Sequence, residues 1–395
     1  MAKGALAGCS EQQKEQPATV TMKAVAVFPR QREIALIEHP EPLIERADQV
    51  KIRILEVGMC GTDKEICTFA FGSPPPGSDY LILGHESLGE VVEVGNAVSH
   101  VHVGDLVVVT VRRPCHQTTC QPCQAGRQDY CETGDYTERG IQASHGFLTE
   151  YVVEEENYVN VVPWSLREIA VLVEPLTIAE KAFARVRQMQ QHFPWRAQQA
   201  ATARFGEGQR AVVLGAGPVG LLGMMLLVTA GFETFVYSRA QAPNPKSALV
   251  EAVGATYISS TDVSVEQLAR RIDKIDIVYE ALGVSQLAFA VMRQLGPHGI
   301  FVFTGVPGPE DPQEIALDRL MHGLVMWNQA IFGTVNASSE AFSEAIRDLA
   351  IFKQRWPTAL SSMITGRYPL EQFQRVLFGQ VEGIKNVLLL SSEVD

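Results

Sequence analysis

Three groups of residues in this chain have the types and spacing to do chemistry. Cys60-Gly61-Thr62-Asp63 puts a thiol, a hydroxyl and a carboxylate within one short stretch. Gly84-His85-Glu86 adds an imidazole and a second carboxylate. Thiolate, imidazole and carboxylate are zinc ligands, and zinc acts as a Lewis acid on a bound hydroxyl or water. A histidine-glutamate pair alone is more often a surface pair. The second group is Cys115-x4-Cys120-x2-Cys123-x7-Cys131, four of the chain's seven cysteines. Four thiolates so spaced can close a tetrahedral structural zinc site. The alternative is a set of buried free thiols. Cys67 has no such partners and reads as a core residue, and Cys9 lies in an N-terminal tail.

The third group is Gly215-Ala216-Gly217-Pro218-Val219-Gly220. It matches the G-x-G-x-x-G turn that binds a dinucleotide pyrophosphate at a helix N-terminus. Such a triplet is weak alone, but here the apolar strand Ala211-Val212-Val213-Leu214 precedes it and an apolar helix over 221–230 follows. The next strand ends Tyr237-Ser238-Arg239, with no carboxylate to accept from a ribose 2′-hydroxyl. Arg239 can pair with a 2′-phosphate and Ser238 can donate to it, so NADP is expected to be preferred, with NAD as the alternative. Arg239 can also be read as a solvated surface arginine.

These residues need elements to hold them. At 395 residues, and roughly 150 residues per domain, two or three domains are expected. Residues 22 to about 160 carry short Val-rich runs bounded by glycine, which read as strands. Trp164 to Gln191 reads as a helix, and from Arg210 strands alternate with helices, as in a parallel sheet. A further helix is expected near Ala341 to Phe352. The polar, Gln-rich residues 1–21 read as a flexible tail without the apolar stretch of a signal peptide. A reducing, cytoplasmic compartment follows as an expectation, and there clustered cysteines more often bind metal than pair. The net charge of −12 argues against nucleic acid, and no apolar run reaches membrane-spanning length.

The paired zinc segments, with Val103-Gly104-Asp105-Leu106-Val107 downstream, resemble the zinc-containing medium-chain dehydrogenase/reductase superfamily. The resemblance is closer to the glucose dehydrogenases best known from archaea and runs over nearly the whole chain from Met22. It rests on Cys60 to Ile66, Cys131-Glu132-Thr133-Gly134-Asp135-Tyr136 leading to Glu138, Glu174-Pro175-Leu176 with Glu180-Lys181, and Gly333-Thr334-Val335-Asn336. It implies an α/β fold: a doubly wound parallel Rossmann domain plus a β-rich GroES-like catalytic domain with a structural zinc lobe. The expected units are 22–198 catalytic, 199–335 dinucleotide-binding, and 336–395 completing the catalytic domain. Cys60, His85 and Glu86 would hold the catalytic zinc, with Glu174 as an additional or exchanging ligand. Glu138 and Asn336 would hydrogen-bond sugar hydroxyls. The four cysteines depart from the family in their first gap, which is usually two residues. Val111 and Ile178 stand where a sugar-contacting asparagine and aspartate would be expected.

The implied reaction is oxidation of an aldose C1 hydroxyl to the lactone, with D-glucose first and galactose or others next. Thr62 would pass the proton outward, and Asp63 would orient His85 or the local backbone. Glu65 stands where a relay histidine often continues this path. Two rivals remain: another zinc-dependent alcohol, polyol or threonine dehydrogenase, and a non-catalytic nucleotide-binding protein. The family implies a homodimer or homotetramer.

Overall fold

The computed structural model describes residues 20–194, 204–308, 314–379 and 381–390. The expected tail lies outside these residues up to position 19, Cys9 included, and Thr21 already belongs to the first strand, Thr21–Phe28.

The N-terminal half builds a mainly antiparallel sheet around the strand Gln49–Gly58. That strand pairs with Glu86–Val94 on one side and with Tyr151–Glu155 and Lys385–Leu389 on the other. The last of these comes from the far end of the chain, and Ile364–Pro369 extends the sheet beyond it. Side chains of the central strand enter two cores, and a register shift between Ile54 and Glu56 interrupts their alternation. Ile52, Ile54 and Val57 pack with Val25, Leu83 and Phe147. Leu55 faces the other way, with Leu88, Leu106, Leu172 and Leu176.

From Arg210 six strands run parallel. Counted along the chain as Arg210–Leu214, Glu233–Ser238, Thr256–Ser259, Ile275–Glu280, Leu295–Phe303 and Ala330–Gly333, they lie in the order 3-2-1-4-5-6. That is the doubly wound order whose switch point, beside the first strand, holds dinucleotides. Both faces are covered: Ala211 and Val213 pack with the helix Pro218–Ala230, while Val212 and Leu214 pack with Leu268, Ile272 and Val291.

The helix Val173–Gln191 joins the two sheets, with Ala179, Ala182 and Val186 in the core that also holds Ala211 and Leu88. The sequence suggests one helix from Trp164. The chain instead makes two 3-10 turns, Trp164–Leu166 and Ala170–Leu172, before the α-helix begins. Ile169 to Val173 are all buried, so no single helical face could serve them. Pro175, lacking an N–H, fits the first turn of a helix that starts at Val173. The last strand of the parallel sheet ends at Gly333, and Asn336 follows in the left-handed region with φ 57°. Asparagine tolerates that conformation better than most side chains.

Candidate active site

Cys60 and His85 sit at the ends of neighbouring strands. Cys60 follows Gln49–Gly58 and caps the short helix Gly61–Ile66, and His85 directly precedes Glu86–Val94. Because the two strands pair antiparallel with Gly58 opposite Glu86, the turn after one and the start of the other meet. Ligand atoms of Cys60, His85 and Glu86 lie within 4.8 Å of one another. Tetrahedral zinc with ligands at about 2.0–2.3 Å spaces its donors roughly 3.3–3.8 Å apart, a span compatible with this set.

Asp63 organises this corner and is completely buried. One oxygen accepts from the Cys60 backbone N–H at 2.9 Å. The other accepts from Gly84 N–H at 3.3 Å and lies 3.4 Å from His85 Nδ1, which is too long and poorly aimed for a good hydrogen bond. The imidazole's Nδ1 is thereby turned to a carboxylate, leaving Nε2 for a metal. Thr62 Oγ1 lies 3.9 Å from Cys60 Sγ and is half-buried.

Glu86 has a partner that sequence reading missed. Lys385, on the last strand, is 2% exposed and places Nζ 2.7 and 2.5 Å from the two Glu86 oxygens and 3.1 Å from the Met59 carbonyl. Lys385 opens the strand Lys385–Leu389, ahead of the apolar run Val387-Leu388-Leu389, and nothing beside it in the sequence points to Glu86. Gly58 makes room for the carboxylate, since a Cβ there would lie 2.2 Å from Glu86 Oε2. Glu174, in the first turn of the long helix, lies outside the tight three-residue set. It is near enough to feel His85, Glu86 and Lys385, and burial first, then Glu86, pushes its carboxyl up to about 7.

Glu138 and Asn336, 198 residues apart, meet: Asn336 Nδ2 donates to Glu138 Oε1 at 2.7 Å. Arg112, unassigned from sequence, donates to the same oxygen from Nε at 3.0 Å and stacks 3.7 Å over Tyr136. Among the described residues Glu138 Oε2 has no hydrogen-bond partner. The loop after Glu138 presses on the ligand corner, with Gly140 packed against the Gly84 carbonyl. Val111 is buried, and Ile178, four residues after Glu174 on the same helix, is half-buried.

The glycines of the dinucleotide turn divide their work. Gly215 has φ 105°, which side chains rarely adopt. Gly217 caps the helix Pro218–Ala230, and a Cβ there would meet nothing within 4 Å, so the backbone is open to a ligand. At Gly220 a Cβ would strike the Gly215 carbonyl at 2.3 Å, so helix and turn pack directly. Pro218 starts the helix without wasting an N–H. Val219 follows it, half-buried. At the end of the second strand Ser238 is half-buried and Arg239 is exposed.

Cys115, Cys120, Cys123 and Cys131 form one cluster with ligand atoms within 4.8 Å. All are free thiols, and Cys115 is buried among them despite its longer loop. Burial works against it, but donors from Thr133 and Gly134 bring the Cys131 thiol down to about 6, the direction a metal-binding thiolate needs. Buried Asp129 pairs with Lys181 at 2.9 Å and Arg127 at 3.1 Å, tying the lobe to the long helix. Cys67 is buried, and burial pushes its thiol up to about 12, as in an inert core residue.

Residues 167–390 match the family model of the glucose dehydrogenase C-terminus, and residues 46–164 match that of the alcohol dehydrogenase GroES-like domain. The glucose 1-dehydrogenase of Methanocella arvoryzae is 37% identical over 92% of this chain and 98% of its own. That of Thermoproteus tenax is 37% identical over 93% and 99%. The Haloferax mediterranei glucose dehydrogenase, solved with NADP, zinc and gluconolactone, superposes with TM-score 0.83 at 31% identity, over 94% of this chain and 100% of that one. Galactitol-1-phosphate dehydrogenase of Escherichia coli, at 23% identity and TM-score 0.75, shares the fold. With its ligand corner, dinucleotide turn and cysteine lobe set in that frame, the chain belongs to the zinc-containing medium-chain dehydrogenases, in the archaeal-type glucose dehydrogenase family.

Proposed function

We propose that this chain is a zinc-dependent oxidoreductase that oxidises the C1 hydroxyl of an aldose, D-glucose first among them, to the lactone. The hydride goes to NADP in preference to NAD. The observation that carries this reading is an intact Cys60–His85–Glu86 corner beside a buried Glu138 already hydrogen-bonded to Asn336. Zinc, when bound there, supplies a Lewis acid that lowers the pKa of a hydroxyl. NADP, when bound at the glycine turn, supplies the hydride acceptor.

The protein's own residues position and select. Asp63 fixes Cys60 and faces the His85 ring. Glu174 serves as an additional or exchanging ligand. Arg112 and Asn336 converge on Glu138 Oε1, which leaves Oε2 to accept from a sugar hydroxyl. A site that pairs a hydroxyl in this way rejects analogues that lack it. Thr62 takes the released proton toward solvent, and exposed Glu65 lies three residues further along that helix. Backbone N–H groups from Gly217 onward hold the pyrophosphate, and Ser238 and Arg239 hold the 2′-phosphate. Cys115, Cys120, Cys123 and Cys131 hold the structural zinc.

Buried Val111 and half-buried Ile178 favour a second reading, a zinc-dependent polyol or alcohol dehydrogenase, because both remove a polar contact. A dehydrogenase assay across aldoses, polyols and simple alcohols, with NADP and NAD separately, decides between them. Turnover of D-glucose with NADP is expected. Turnover of polyols but of no aldose sinks the sugar reading, and a strong NAD preference sinks the role of Arg239.

The catalytic unit takes residues 22–198 and 336–395 and the dinucleotide unit 199–335. A dimer or tetramer forms through the outer edge of the parallel sheet. There Ala330–Gly333 is paired on one side only, and the adjacent helix exposes Leu317, Met321 and Val325. Light scattering of Met321→Glu against wild type tests this. Free thiols suit a reducing, cytoplasmic setting. Among the described residues no helix is long and apolar enough to cross a membrane.

A further inference from the structure

A third cluster of metal-type ligands lies away from both zinc sites, between the helices Val173–Gln191 and Ser339–Arg355. Glu180 comes from the first helix. Glu344 and Asp348, one turn apart on the second, share a face toward it. Oxygen atoms of all three lie within 4.8 Å of one another. Two of the three are interior groups: Glu180 is 6% exposed and Asp348 7%. Glu180 Oε1 is buried and has no hydrogen-bond partner among the described residues. A buried carboxylate oxygen without a donor costs free energy, so one left bare and aimed at two further carboxylates calls for a ligand.

The surrounding cations are spoken for. Lys181 and Arg127 pair with Asp129, Arg185 donates to Tyr130 Oη at 3.0 Å, and Arg187 lies over the Phe183 and Phe205 rings at 5.2 and 5.4 Å. Arg347 pairs with Glu344 and lies 3.6 Å from Asp348. Three carboxylates against that one guanidinium leave an excess of negative charge that one divalent cation would neutralise. Left without a cation, the cluster must keep protons: burial first, then Asp348, pushes Glu180 up to about 9, and burial raises Asp348 as well. The cluster opens on a groove of about 460 Å³ lined also by Arg187 and Gln188, with room for water ligands.

We propose that Glu180, Glu344 and Asp348 hold a divalent cation of the hard, oxygen-liganded class, Mg2+, Mn2+ or Ca2+, that fastens these two helices together. Three carboxylates completed by waters are the donor set of such ions, and the absence of thiol and imidazole disfavours zinc. The ion acts by position. Glu180 lies on the helix whose first turn carries Glu174, and the other helix starts just after Asn336. The fastening therefore sets the distance between a carboxyl facing the ligand corner and an amide facing Glu138. The proposal stands whatever the substrate is.

The test is Mn2+ titration of the zinc-loaded protein, followed by the electron paramagnetic resonance signal of free Mn2+. Wild type is expected to bind one Mn2+ per chain that Mg2+ displaces. Glu344→Gln and Asp348→Asn should bind it on the order of tenfold to a hundredfold more weakly. Mg2+ should raise the unfolding temperature of wild type and not of either variant. Glu344 is half-buried, so Glu344→Gln decides the matter if Asp348→Asn does not fold. Mn2+ binding that is equal in wild type and Glu344→Gln overturns the proposal. So does a wild type indifferent to Mg2+ whose stability Glu180→Gln raises in cation-free buffer, because the cluster would then merely share a proton.

Discussion

The lobe holding Cys115, Cys120, Cys123 and Cys131 and the corner holding Cys60, His85 and Glu86 are both zinc-type clusters, yet they are assembled differently. The lobe takes its four ligands from one short loop, all sulfur, three of them buried and Cys131 packed against them. Four thiolates saturate a tetrahedral ion and leave no position for a substrate. The corner draws three ligands of three chemical types from two strand ends, and a lysine from the far end of the chain already holds its carboxylate. Three ligands leave a position open, and Glu174 stands nearby at the start of a helix. The difference teaches that ligand number and charge, more than the metal, divide stabilising from catalytic roles.

Mutation of one cysteine in each cluster should give opposite results. Cys60→Ser is expected to lower kcat/KM about 10³-fold, the several kcal/mol that a Lewis acid supplies, with little change in unfolding temperature. Cys123→Ser should lower the unfolding temperature and leave kcat per folded chain unchanged. Equal kinetic losses from the two would break the comparison. The next effect in size is at Lys385. Removing one partner of a buried ion pair costs about 3 kcal/mol or more, so Lys385→Met should destabilise the zinc-free protein by that order. Zinc can replace the lost positive charge beside Glu86. Denaturant unfolding with and without zinc should therefore show a larger zinc stabilisation in the variant than in wild type.

Smaller effects test how each cluster is connected. Glu138→Gln should raise KM for the sugar about tenfold, close to the loss of one hydrogen bond to a charged group, while zinc content stays unchanged. Asp129, which ties the lobe to the long helix, gives a pH signature. Burial opposes it, but Arg127 and then Lys181 hold the Asp129 carboxyl below its ordinary 3.8. A carboxyl whose pKa is lower when folded stabilises the fold above pH 3.8. That contribution is lost as pH falls from there through the folded value. Acid unfolding curves should show this loss in wild type and lack it in Asp129→Asn.

The sequence by itself determined whatever rests on local spacing. The glycine turn, the strand before it and the helix after it are contiguous, so hydrophobic pattern and glycine positions suffice to place them. The cysteine lobe is likewise set within one loop, and Cys115 joins it because a loop of a few extra residues still reaches. Cys60 and His85 could be paired from sequence only because each lies in a recognisable segment. Tertiary structure decided what depends on strand order and long-range contact. Lys385 reaches Glu86 across 299 residues because the last strand inserts beside Gln49–Gly58, and nothing near Lys385 announces that pairing. Glu138 is interior because Arg112 and Asn336, distant in sequence, close over it. Glu180 faces Glu344 and Asp348 only because two helices distant in sequence pack side by side. Local chemistry is set by neighbours along the chain, whereas the partner of a buried charge is set by which elements the core brings together.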